Sequence, residues 1–309
     1  MRFRSLMLVT LLAATLLITS AFAAVSVFAT GVVIPETIAR TAAGDFFVTD
    51  ADADGPIWSV PAAGGTATQV ASAGYSLLGG VFLPASFGSV GGQFLVVGAD
   101  GTLASASTMD ASNTVTPYAS QADSAWTTPV VASSFGRHTG EVLVTNQGTG
   151  SRDGSVDIFT PSGTVGRLTN LPSVSVPFGA ALAPRGFGAV GGTLLVSDAG
   201  GGGIYSVNPT GRVSLFTTIP FGTGQSGLRQ MAFAPSGWGR YSGNLFVSFN
   251  IRDIVIVSRN GSILGRISGT FNPRGLLFTT PAGDASLLFS DVSTDVIRRA
   301  GPEDIVPND

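Results

Sequence analysis

A ten-residue phrase recurs along this chain at a near-constant interval, and it limits the possible folds more than any other feature. Phe87-Gly88-Ser89-Val90-Gly91-Gly92-Gln93-Phe94-Leu95-Val96 returns from Phe135, from Phe187 and from Trp238, so the aromatic anchors lie 48, 52 and 51 residues apart. Two degenerate copies flank these, at Gly44-Asp45-Phe46-Phe47-Val48 and Ala285-Ser286-Leu287-Leu288-Phe289. Six repeats of this length match the period of propeller blades or arrays. Each repeat reads as four short strands. In the fourth, Ala180–Ala183 is a small apolar run for an innermost strand and Thr193–Ser197 is the second. Ile204–Val207 alternates as the third, and Arg212–Thr217 as the outer strand after an Asn208-Pro209-Thr210-Gly211 turn. No segment carries a helical period with caps. The expected fold is all-β, a six-bladed propeller of four-stranded antiparallel blades.

The two ends of the chain complete this expectation. The last repeat stops after its third strand, Asp295-Val296-Ile297-Arg298, whereas Val25-Ser26-Val27-Phe28-Ala29-Thr30 looks like the outer strand Val213-Ser214-Leu215-Phe216-Thr217-Thr218 of blade four. The N-terminal strand is therefore expected to complete blade six and close the ring, pairing an edge that would otherwise stay open. Ahead of it, Arg2 and Arg4 precede an apolar run, Leu6–Ile18, and an Ala21-Phe22-Ala23 ending. That is the pattern of a cleaved export signal, its apolar core short of the ~20 residues that span a bilayer. The expected organisation is a signal peptide over 1–23, one propeller domain over 24–301 and a polar tail over 302–309. The product is expected to be secreted or periplasmic and monomeric, with no membrane span once the signal is removed.

Composition excludes more chemistry than it suggests. The chain has sixteen Arg, no Lys, no Cys and a single His, His138. Schiff-base and Walker-type lysines, thiolate nucleophiles, disulfides and multi-histidine metal sites are all ruled out. With 16 basic against 19 acidic residues there is no basic excess, so nucleic acid is not an expected partner. Any partner is a small molecule or a protein, and any chemistry rests on carboxylates and arginines.

The blade-four run Pro177-Phe178-Gly179-Ala180-Ala181-Leu182-Ala183-Pro184, with Leu194-Leu195-Val196-Ser197-Asp198, Ile204-Tyr205-Ser206-Val207-Asn208-Pro209 and Gly211-Arg212-Val213, resembles an NHL repeat. More broadly, the chain resembles the six-bladed, TolB-like propellers that include the gluconolactonase and senescence-marker group, in an exported bacterial form. The resemblance implies a fold, not a reaction, because such propellers include lactonases, lyases and proteins that only bind. It also implies where to look. Gluconolactonase-like enzymes hold a divalent cation on the central channel through a Glu opening the first inner strand and Asn and Asp from later ones. Glu36 matches the first. The openings Leu78-Gly79, Trp126-Thr127, Phe178-Gly179 and Arg229-Gln230 supply neither Asn nor Asp, and Asn272 before Arg274 is the near candidate. Streptogramin-lyase-like propellers use His with acids, and this chain has only His138.

Three local features have a sharp and a plain reading. Asp50-Ala51-Asp52-Ala53-Asp54-Gly55 spaces three carboxylates like the start of a calcium loop, but position twelve is Pro61. Asp50 also sits where other repeats have Asn146, Asp198 and Asp291, and there an Asx side chain can brace a hairpin turn. Calcium is the one cofactor suggested. His138 replaces Val90, Val190 and Tyr241 of the other repeats, which reads as a surface histidine in a variable turn. Asn260-Gly261-Ser262 is a glycosylation sequon and equally a tight turn. The expected ligand site is the channel mouth, lined by Glu36, Trp126, Phe178, Arg229, Gln230 and Arg274. Two guanidinium groups, a carboxylate and aromatics there can hold a small anionic or sugar-like ligand, or can seal the channel as an Arg–Glu pair. The leading reading is a non-catalytic binding or scaffold propeller; the alternative is a metal-dependent hydrolase or lactonase.

Overall fold

Alternating apolar strands and glycine turns of this kind can bury both faces of a small sheet only by stacking it between two others, and the computed structural model takes that form. It describes residues 25–149, 153–220, 227–249, 253–279 and 285–308; segment 1–23, expected from sequence to be a signal peptide, lies outside them. Six sheets form six blades, each built on four antiparallel strands; four sheets have only these, and two carry a short fifth strand at the outer edge. Their inner strands are Pro35–Arg40, Ser76–Phe82, Trp126–Val131, Pro177–Leu182, Leu228–Phe233 and Pro273–Phe278. In blade four the strands are Pro177–Leu182, Leu194–Asp198, Gly203–Val207 and Val213–Thr218. The inner strand starts three residues earlier than its apolar run suggests, because a register slip between Pro177 and Ala180 interrupts it.

The apolar core is divided into six clusters, one at each junction between neighbouring blades. The recurring anchors Phe87, Phe135, Phe187 and Trp238 are all buried in them. Phe187 meets Phe233 of blade five edge-on at 4.8 Å, and Trp238 meets Phe278 of blade six at 4.9 Å. Each anchor thus fastens its own blade to the inner strand of the next. The glycine after the anchor has a positive φ, +54° at Gly88 and Gly188, and a Cβ at Gly188 would lie 2.2 Å from the Arg259 carbonyl oxygen of blade five. The repeated aromatic-Gly pair is a blade-to-blade fastener, and no other residue fits its second position there without strain.

Ser26–Thr30 lies antiparallel to Val296–Ala300 and is the fourth strand of the blade-six sheet, with Gly65–Thr66 parallel beyond it. The C-terminal segment is less free than a polar tail. Ile305 is buried in the blade-five/six cluster, and Val306–Pro307 adds to the outer strand of blade five, pairing with Arg266 and Gly265. Among the described residues no helix is long and apolar enough to cross a membrane.

Candidate functional site

All six inner strands slip register against their second strand near the mouth end, at Pro35/Ile38, Leu77/Gly79, Trp126/Pro129, Pro177/Ala180, Leu228/Met231 and Pro273/Leu276. Such bulges re-aim side chains, and here they set two stacked rings around the axis. The ring nearer the mouth is Glu36, Leu78, Thr127, Phe178, Arg229 and Arg274. The ring below it is Thr37, Gly79, Thr128, Gly179, Gln230 and Gly275.

Second-strand hydroxyls hold the bulged backbone. The Thr128, Gly179 and Gly275 amides donate to Thr145 Oγ1, Ser197 Oγ and Ser290 Oγ at 3.0, 2.8 and 2.7 Å. Those hydroxyls donate in turn to the next blade's bulge carbonyl, at Phe178, Arg229 and Glu36. Ser248 donates likewise to the Arg274 carbonyl at 2.6 Å. The mouth is therefore carried on hydrogen-bonded backbone instead of mobile loops.

The lower ring alternates. Blades two, four and six carry glycine, and a Cβ at Gly79, Gly179 or Gly275 would lie 2.0, 1.9 or 2.2 Å from a carbonyl oxygen of the following blade. Blades one, three and five carry polar side chains that meet on the axis: Gln230 Nε2 donates to Thr37 Oγ1 at 3.2 Å and to Thr128 Oγ1 at 3.1 Å. This buried amide floors the mouth.

Above that floor lies a three-charge cluster. Arg274 Nη1 donates to Glu36 Oε1 at 2.9 Å, and the Arg229 guanidinium stacks 4.3 Å over the Phe178 ring. Glu36 is only 2% exposed. Burial, the largest influence, pushes its carboxyl pKa up, while Arg274 and then Arg229 pull it down and Asp50 adds a smaller upward push. Burial also pulls the Arg229 guanidinium down to about 10, helped by Arg274 and opposed by Glu36. It is still cationic at neutral pH, so the cluster carries a net positive charge whichever form Glu36 takes. Glu36 Oε2, Arg229 Nε and Arg274 Nε are buried without hydrogen-bond partners. Buried polar atoms of this kind ordinarily find partners, and an orphan calls for an explanation.

A divalent cation does not fit this ring. Such ions take six or more oxygen ligands, and the ring offers one carboxylate, already paired with a guanidinium, beside a second guanidinium. Asn272, the other candidate, lies outside both rings, and its amide N–H donates to Asp291 Oδ1 at 2.9 Å. The described residues contain no group of three His, Cys, Asp or Glu side chains placed to hold a metal.

Four expected site residues, Glu36, Phe178, Arg229 and Arg274, come together in the upper ring, and Gln230 lies directly below. Trp126 does not join them. It pairs with Asn146 in the ladder, one step before the bulge, and its indole runs outward to donate to Asp157 Oδ2 at 2.9 Å and to pack on Phe159 at 4.7 Å. The equivalent ring position of blade three is held by Thr127, which is buried and donates its hydroxyl to the Phe178 carbonyl at 2.8 Å. Thr37 and Thr128 were not singled out from sequence; the alternation of glycine with polar residues at the lower-ring position is the signal that finds them.

Asp50 and His138 both have close polar partners. Asp50 is fully buried and braces its turn, accepting from the amides of Val33 and Asp52 and from Trp58 Nε1. Asp198 and Asp291 make the corresponding bonds in their blades. Asp52 and Asp54 are exposed, so the three carboxylates of the calcium-loop pattern do not share one face. His138 is not a surface residue. It is 9% exposed, with Nδ1 2.7 Å from Glu141 Oε2, while Arg137 Nε donates to Nε2. Tyr241, its counterpart in blade five, is buried in the same way, with Arg240 donating to its hydroxyl. A partnered polar ring at this turn is a structural plug under the aromatic anchor.

Comparison with known proteins agrees with this geometry at the level of fold. No protein-family model matches the chain, and no curated protein matches it. Among solved structures, it is similar to a candidate gluconolactonase (17% identity, TM-score 0.65, 93% of this chain and 94% of that one). It is also similar to the calcium-binding protein regucalcin from Agrobacterium tumefaciens (15% identity, TM-score 0.62, 89% and 95%). Virginiamycin B lyase from Staphylococcus aureus is a third (14% identity, TM-score 0.57, 85% and 78%). What the likeness shows is a shared β-propeller fold. At these identities the likeness carries no reaction with it.

Proposed function

We propose that this chain is an exported, non-catalytic propeller that binds a small carboxylate-bearing ligand, such as a sugar acid, at its channel mouth. The observation that supports this reading is the pair of guanidinium groups over a closed floor, with Arg229 Nε and Arg274 Nε buried and unpartnered. Arginine pairs with carboxylates through two parallel hydrogen bonds, and a ligand carboxylate would give both orphaned nitrogens a partner. Phe178 holds Arg229 flat, which lowers the ordering cost of binding.

The test is calorimetric titration with D-gluconate, with sorbitol as the uncharged control. Arg229→Ala should weaken gluconate binding at least about tenfold, the scale of one charge-assisted hydrogen bond, and Arg229→Lys should recover part of the loss. Equal binding of sorbitol, or an unchanged affinity in Arg229→Ala, contradicts the proposal.

A second reading, a metal-dependent lactonase, draws on the likeness to the candidate gluconolactonase and on Glu36, which opens the first inner strand with Oε2 free of partners. It requires Arg274 to release Glu36. Chelator-sensitive turnover of a lactone that is lost in Glu36→Gln would favour it.

A further inference from the structure

The turns at the far end of the inner strands, away from the mouth, hold a second feature that the axial cluster leaves unused. Two open cavities of about 750 and 740 Å³ lie at the junction of blades four and five. They share one wall, Arg259-Asn260, in the turn between the third and outer strands of blade five. Arg240 lines the first cavity and Arg212 the second, and neither cavity has an acidic residue in its lining. None of the three arginines forms an ion pair among the described residues. A chain with more acids than bases thus gathers three guanidinium groups without ion pairs around two adjoining cavities, which together form a groove across the Arg259-Asn260 turn.

Arg240 and the backbone of the shared wall are held in place. Arg240 is held by its own neighbour, donating to the Tyr241 hydroxyl at 2.7 Å with its guanidinium 4.9 Å from the ring centre. The shared wall is fixed from both sides: Gly188 packs against the Arg259 carbonyl, and Thr217 Oγ1 donates to the Gly261 carbonyl at 2.8 Å. Asn260-Gly261 is a tight turn with Gly261 at φ +86° and its amide bonded to the Ser258 carbonyl.

The other polar groups of the walls are amides and hydroxyls, with Asn208, Asn244, Ser214 and Ser242 among them. These match sugar hydroxyls, which both donate and accept. The lining aromatics, Phe187 and Phe216, pack on each other at 5.8 Å and offer no free platform for stacking bases. We propose that the groove binds an acidic oligosaccharide. Its carboxylates or sulfates would pair with Arg212, Arg259 and Arg240 in turn, and its hydroxyls with the amides and hydroxyls between them.

The experiment is calorimetric titration of the purified protein with tetragalacturonate and with a sulfated tetrasaccharide. The methyl-esterified tetramer is the uncharged control, and a single-stranded oligonucleotide and an acidic peptide of matched charge are the competing polyanions. At least one acidic tetrasaccharide should bind saturably and the ester should not. Arg259→Gln and Arg212→Gln should each weaken binding about tenfold, with melting temperatures unchanged. Should Arg259→Gln melt early, Arg212→Gln alone carries the comparison, its side chain being exposed on a turn. Arg229→Ala at the mouth should leave this binding intact, which separates the groove from the axial site. Saturable binding of neither tetrasaccharide, equal binding of the ester, unchanged affinity in Arg212→Gln, or equally tight binding of oligonucleotide or peptide overturns the proposal.

Discussion

Glu36 is the residue on which the site's electrostatics turn. Burial outweighs two neighbouring guanidinium groups and lifts its pKa above 4.5. Between 4.5 and that raised value the folded protein holds a proton that the unfolded chain releases, so this group's contribution to stability is full below the window and falls as pH rises through it. Urea denaturation at stepped pH should show stability of the wild type declining across this window relative to Glu36→Gln, which has nothing to titrate. Parallel curves, or a relative gain by the wild type, would mean that the arginines dominate the carboxylate. Glu36, Phe178, Arg229 and Arg274 could all be located from sequence, because each follows a Pro or Leu at the same place in its repeat, and Gln230 is the next residue after Arg229. Trp126 was misplaced because the bulge hides the register: in blade three an aromatic takes that preceding position and mimics Phe178 of the next blade. His138 was misread for a different reason. Its counterparts vary in chemistry, yet Tyr241 is buried too, and Glu141 three residues on was the available sign of a partner.

At the scale of elements, the repeat is legible because its fastener is a local pair, aromatic then glycine, repeated in four blades. The same pair allows a direct test of what the glycine does. Gly188 and Gly239 have the same φ, +54°, but a Cβ at Gly188 would strike the Arg259 carbonyl whereas one at Gly239 meets nothing within 4 Å. Gly239→Ala should cost only the left-handed backbone penalty, about 1–2 kcal/mol. Gly188→Ala should cost a further ~1–3 kcal/mol for the overlap. Equal losses in chemical denaturation would show that the blade-four turn does not lean on blade five as described. The bulges were not legible, since a register slip leaves no mark on an apolar run. The hydroxyls that secure them, Thr145, Ser197, Ser248 and Ser290, read only as ordinary polar residues at strand ends.

For the whole molecule, six sheets around one axis create two unlike ends. One gathers the bulged strand openings and an Arg-rich mouth over a Gln230–Thr floor; the other gathers hairpin turns and, between blades four and five, an arginine-lined groove. The proposed function rests on the mouth, where two guanidinium groups have buried, unpartnered Nε atoms, although similar folds belong to proteins named for lactone chemistry and calcium binding. The most direct measurement is titration of the purified protein with D-gluconate in chelator and again in excess calcium, alongside a gluconolactone hydrolysis assay under both conditions. Carboxylate binding by Arg229 and Arg274 predicts saturable binding of equal affinity in the two buffers and no turnover above the uncatalysed rate. Binding that appears only with calcium, or calcium-dependent hydrolysis lost in Glu36→Gln, would contradict it.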